Sequence, residues 1–136
     1  MRATFASLAL IVLAVVSCSS SEDVATAERE VQSFHEAFNA GQFDKIWDGA
    51  AEDLKKGSGK EEFVGLLQTV DRKLGKTTAG KRENWTVNYG TGGTTVKLVF
   101  ETSFAKGKGT ETFAYRISGK KALLVGYNLN SKNLLL

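Results

Sequence analysis

From Val24 onward the apolar positions of the chain recur at helical spacing. Val24, Ala27, Val31, Phe34 and Phe38 lie three and four apart and make one stripe, the mark of a helix with a single buried face. Ser21 or Asp23 is expected to cap this helix and Gly41 to stop it. A second, short helix is expected from about Phe43 to Leu54, burying Phe43, Ile46, Trp47 and Leu54, with Trp47 between that helix and the sheet. Gly57-Ser58-Gly59 then breaks the chain, and Phe63, Leu66, Leu67, Val70 and Leu74 form another stripe on a helix from about Lys60, closed by Gly75.

Beyond Thr77 the period falls to two. Trp85, Val87 and Tyr89 alternate with polar neighbours, and Val96, Leu98, Phe100, Thr102 and Phe104 do the same after a turn at residues 90–93. A turn over residues 106–109 leads into Phe113, Tyr115 and Ile117. A third, at Gly119-Lys120, leads into Leu123, Val125, Tyr127 and Leu129. Helices first and strands afterwards predict an α+β fold, with N-terminal helices packed on the apolar face of a curved four-stranded antiparallel meander.

The first 18 residues follow neither pattern. Arg2, the apolar run Leu8–Val16 and the small residues before Cys18 read as a secretory signal. Val15-Val16-Ser17-Cys18 matches the bacterial lipoprotein pattern, in which cleavage precedes a diacylated cysteine. A transmembrane anchor over residues 3–16 is too short for a hydrocarbon core of roughly 30 Å. A plain cleaved signal is the remaining rival, and it would leave the chain's one cysteine as a lone thiol in an oxidising compartment. The expected organisation is a signal peptide over residues 1–17, a lipidated Cys18 with a short tether to Asp23, and one α+β domain over residues 24–136. Membrane attachment through lipid on Cys18 places the protein in the bacterial cell envelope, facing the periplasm or the exterior. Ser19 favours the outer membrane in an enteric-type cell.

Charge adds a second contrast. The whole chain carries a net +3, too little to call for nucleic acid. Residues 19–75 are net acidic and residues 76–136 net basic, so the two halves are expected to be chemically different layers.

The run Phe38–Asp48, the pair Leu74-Gly75, the segment Gly109–Phe113 and the closing Gly126-Tyr127-Asn128-Leu129 resemble a family of short, uncharacterised bacterial exported proteins. These are similar to the nuclear transport factor 2-like (cystatin-like α+β) superfamily. The resemblance covers roughly residues 24 to 130 and implies a cone-shaped domain, its bent sheet wrapped around helices. It says little about activity, because related folds host isomerases, dehydratases, binding modules and scaffolds.

Candidate chemistry is sparse. His35 is the chain's one histidine; it sits beside the first stripe and needs an orienting carboxylate for catalysis. Asp44 and Asp48 are four apart, but Lys45, Glu52 and Asp53 around them read as a solvated face. Tyr89, Tyr115 and Tyr127 share inward parity on three strands and, with His35, Trp47 and Glu111, make the candidate pocket, a mostly apolar cavity with a few polar anchors. No phosphate loop, nucleophile elbow or cysteine–histidine cluster is present, so no metal or other cofactor is expected. Lys97, Glu101 and Arg116 fall on the polar face of the sheet. The sequence therefore favours a non-catalytic module binding a small apolar ligand or an envelope protein; the alternative is an isomerase- or dehydratase-like enzyme using a cavity between helices and sheet.

Overall fold

The computed structural model describes residues 18–135, with side chains from Ser20 onward. The expected signal segment and the side chain of Cys18 lie outside the described residues. Four helices precede a four-stranded antiparallel sheet of order β1-β2-β3-β4. The α+β class and the meander are those expected from the sequence. No helix among the described residues is long and apolar enough to cross a membrane.

Helix α1 runs from Cys18 to Asn39. The stripe Val24, Ala27, Val31, Phe34 and Phe38 is fully buried. Ser21 and Asp23 lie inside the helix and do not cap it, and residues 18–23 form its first turns instead of an extended tether. Gly41 ends this stretch at φ 70°, a left-handed conformation that glycine enters without steric cost.

The single helix expected over residues 43–54 is two, α2 (Phe43–Asp48) and α3 (Glu52–Gly57). A tertiary bond makes the break: the Ala51 N–H donates to the Leu124 carbonyl at 2.9 Å, tying the linker to β4. Helix α2 buries no residue fully. Trp47 is half-buried, not buried as expected, and packs on Phe63 of α4, ring centroids 5.8 Å apart, so it joins two helices. Helix α4 (Lys60–Leu74) buries Phe63, Leu67, Val70 and Leu74, whereas Leu66 stands at the margin of its stripe and is 40% exposed.

The strands are β1 (Thr77–Gly90), β2 (Gly93–Phe104), β3 (Gly107–Ser118) and β4 (Lys121–Asn130). The second turn is Ala105-Lys106, and the glycines placed in it by the sequence belong to β3. Inward parity holds on β2 and β3, where Val96, Leu98, Phe104, Phe113 and Tyr115 are buried against the helices. It fails on the first half of β4. Tyr115 pairs with Leu124 while Ala114 pairs with Gly126, so Val125 is an extra residue in a bulge that reverses the alternation. Ala122 and Leu124 are buried where Leu123 and Val125 were expected.

Part of the basic charge in the C-terminal half serves helix ends. Lys76 Nζ donates to the Asn39 carbonyl at 2.8 Å and Lys106 Nζ to the Arg72 carbonyl at 3.2 Å, supplying cations where the α1 and α4 dipoles are negative. Arg116 forks onto Asp53 of α3 with two 2.7 Å bonds.

Phe113 is fully buried and meets aromatic rings from α1, β2 and β4, so Phe113→Ala is expected to cost about 3 to 5 kcal/mol in denaturant unfolding. Half-buried Trp47→Ala should cost about half as much, roughly 1.5 to 2.5 kcal/mol. Equal losses at the two positions would contradict this packing.

Candidate functional site

Glu111 lies on the inner face of β3 and is only 1% exposed. Its nearest same-face neighbours across the ladder are set by register. Glu111 pairs with Phe100 on β2 and Leu129 on β4, so Thr102 and Tyr127 stand diagonally on either side of it. Thr102 Oγ1 donates to Oε1 at 2.6 Å, and the Tyr127 hydroxyl donates to Oε2 at 2.6 Å. His35 completes the cluster from α1, its Nε2 2.7 Å from Oε1. Three donors aimed at two oxygens suit an ionised carboxylate, which only accepts. Against an ionised carboxylate, Nε2 is the ring nitrogen that carries the proton.

Aromatic rings close the space around this cluster. Phe34 lies 4.9 Å from Tyr127 and 5.1 Å from Phe113, and His35 meets Phe113 edge-on at 5.8 Å. The helix–sheet interior at this level is therefore filled.

Tyr115 lies one step further along β3 and stacks on Phe113. It lines a different space, a cavity of about 160 Å³ with Phe34, Ile46 and Leu124 on its apolar walls and Glu30, Ser33 and Lys45 as polar neighbours. Its hydroxyl has no protein partner among the described residues. Burial, with Glu30 and Glu111 nearby, pushes the Tyr115 phenol well above the usual tyrosine range. Tyr127 is raised well above it too, by burial first and then by the Glu111 charge and hydrogen bond. Both are therefore neutral hydroxyls at physiological pH.

The six pocket candidates do not share one cavity. His35, Glu111 and Tyr127 form a closed cluster, Tyr115 lines the cavity beside α2, and Trp47 sits between helices. Tyr89 is 63% exposed. It pairs with Thr94 on the helix-facing side of the sheet, but the edge strand β1 runs beyond the helical cover, so correct parity did not bring burial. Asp44 and Asp48 are exposed, and Asp44 lies 3.7 Å from Lys60. Tyr127 also borders a groove of about 520 Å³ between β4, α3 and α4, walled by Leu54, Phe63 and Leu66. Among the described residues no three histidine, cysteine, aspartate or glutamate side chains are grouped to hold a metal.

Thr102 was expected only as an inward polar position. Its diagonal relation to Glu111 follows from hairpin register, which a turn placed two residues late obscures. Glu30, Ser33 and Lys45 carried no signal, since each is an ordinary polar residue on a helix. No protein-family model matches this sequence, and comparison with curated proteins gave no match.

Above about pH 10 the unfolded chain releases the phenol protons of Tyr115 and Tyr127 while the folded chain retains them, so the folded state binds more protons and stability must fall as pH rises. Stability measured from pH 8 to 11.5 is expected to be flat below about pH 10 and to decline above it. Tyr115→Phe with Tyr127→Phe should shallow that decline. An unchanged alkaline slope in the double variant would contradict the buried, neutral state of these hydroxyls.

Proposed function

We propose that this chain is a lipid-anchored protein of the bacterial cell envelope whose α+β domain is a non-catalytic binding module. The signal pattern ending at Cys18 supports the anchor. The helix-then-meander order and the bulges in the sheet support the cone-shaped, nuclear transport factor 2-like form, in which ligands enter between helices and sheet.

One observation carries the binding reading. The interior carboxylate is enclosed by its own partners, since Glu111 is bonded to His35, Thr102 and Tyr127. The Tyr115 cavity, by contrast, is mostly apolar and holds a hydroxyl without a partner among the described residues, with Glu30, Ser33 and Lys45 nearby. Apolar walls with a few polar anchors are the usual make-up of a small-ligand site. The ligand class is a compact, largely apolar molecule with one polar end.

The His35–Glu111 pair favours a second reading, an enzyme of isomerase or dehydratase type, because an oriented imidazole is what general-base chemistry requires. His35 lines neither the Tyr115 cavity nor the groove beside β4, so this reading stands second.

Incubating the purified protein with a metabolite mixture and identifying retained compounds by native mass spectrometry tests the proposal. Retention of a small apolar compound is expected. Ala37→Phe, which fills the cavity wall, should abolish retention, and Tyr115→Phe should weaken it by about three- to tenfold, the value of one hydrogen bond. Retention unaffected by Ala37→Phe, or turnover of a compound that His35→Asn abolishes, would favour the other reading.

A further inference from the structure

Strand β1 is an edge of the sheet, paired with β2 on one side and, among the described residues, with no strand on the other. Its two halves treat that edge differently. From Thr77 to Glu83 the ladder is interrupted by register shifts between Thr77 and Ala79 and between Arg82 and Asn84, and Lys81, Arg82 and Glu83 stand on it. Bulges and charges of this kind are how an edge refuses a partner. From Asn84 to Tyr89 the register with β2 is unbroken, and the sequence Asn-Trp-Thr-Val-Asn-Tyr has no charge and no proline, a composition that favours strand pairing. Gly90 and Gly93 close the hairpin around Thr91 and Gly92, so Gly90, Asn88, Thr86 and Asn84 turn their main-chain groups to β2, and Tyr89, Val87 and Trp85 turn theirs outward. The Trp85 N–H accordingly finds a side chain and not a strand, donating to Asn84 Oδ1 at 2.7 Å.

We infer that the Asn84–Gly90 edge pairs with the same edge of a second copy of this chain, antiparallel about a two-fold axis at Val87. The segment is complementary to itself in that register. Val87 meets the partner's Val87, Trp85 meets the partner's Tyr89 and Thr86 meets the partner's Asn88, so the outward main-chain groups of Trp85, Val87 and Tyr89 are matched by one another. No charge is set opposite a charge, and the irregularity before Asn84 falls outside the pairing. A register centred on Arg82 would instead set that guanidinium against itself. Trp85 and Tyr89, 47% and 63% exposed on the helix-facing side of a single chain, become cross-strand aromatic pairs that cover one another. Their uncovered parts on two copies come to roughly 400 Å², and the paired main chain brings the total to about 1,000 Å², the low end for a specific interface. The dimer is therefore weak and concentration-dependent, half formed at about 10 to 200 μM. It uses neither the Tyr115 cavity nor the Glu111 cluster and stands independently of the ligand reading.

Sedimentation equilibrium of the purified full chain, in a non-ionic detergent matched to the density of the solvent, tests this over about 1 to 500 μM. A monomer–dimer equilibrium is expected, little changed by salt. Trp85→Lys with Tyr89→Lys sets like charges opposite each other in both aromatic pairs and should weaken the dimer by at least about thirtyfold. Trp85→Glu with Tyr89→Glu should do the same, and an equimolar mixture of the two variants should restore a dimer holding one chain of each, now weakened by salt. Recovery on mixing separates repulsion across the pair from misfolding. Val87→Pro, which removes an outward N–H and no bond to β2, should abolish the dimer too and serves if the charged variants do not fold. A wild-type chain monomeric throughout, a dimer kept by the lysine variant or by Val87→Pro, or folded lysine and glutamate variants that stay monomeric when mixed would each overturn the inference.

Discussion

The rest of this structure depends on the burial of one carboxyl group. Glu111 is 1% exposed, and a carboxylate in that setting is costly unless its oxygens are matched by donors. Donors come from three other elements: His35 on α1, Thr102 on β2 and Tyr127 on β4. One side chain thereby fixes the rotation of the first helix over the sheet and the register of the two strands beside its own. A shift of β2 or β4 by one residue would turn Thr102 or Tyr127 to the opposite face and leave the charge unmatched. A buried polar cluster of this kind is better understood as a device for selecting one packing than as a source of net stability.

Closure of that cluster shapes everything outside it. Phe34, Phe113 and Tyr127 pack around the carboxylate, so the open spaces are displaced to either side, one beside Tyr115 and α2, the other along the β4 margin. Function is accordingly sought away from the most conspicuous chemistry of the molecule.

Local patterning carried most of the fold. The stripes of α1 and α4 and the alternation on β2 and β3 needed no information beyond nearest neighbours, and they placed Phe34, Leu67, Leu98 and Phe113 in the core correctly. What escaped was set by contacts distant in sequence. Ala51 breaks a helix to bond Leu124, and the Val125 bulge exchanges Leu123 for Ala122 on the inner face. Tyr89 has inward parity but no helix above it. The partner of His35 stands 76 positions away, and only the folded register brings it within reach. The helical state of residues 19–23 was hidden by a stretch of serines and acids that reads as linker.

Coupling between His35 and Glu111 tests the central claim most directly. A double-mutant cycle with His35→Asn and Glu111→Gln, followed by denaturant unfolding, isolates the energy the two share. An interaction of about 1 to 3 kcal/mol is predicted, since each single change strands a buried partner that the double change relieves. Additivity within about 0.5 kcal/mol would mean that the pair does not hold α1 on the sheet, and the account of this fold would fail.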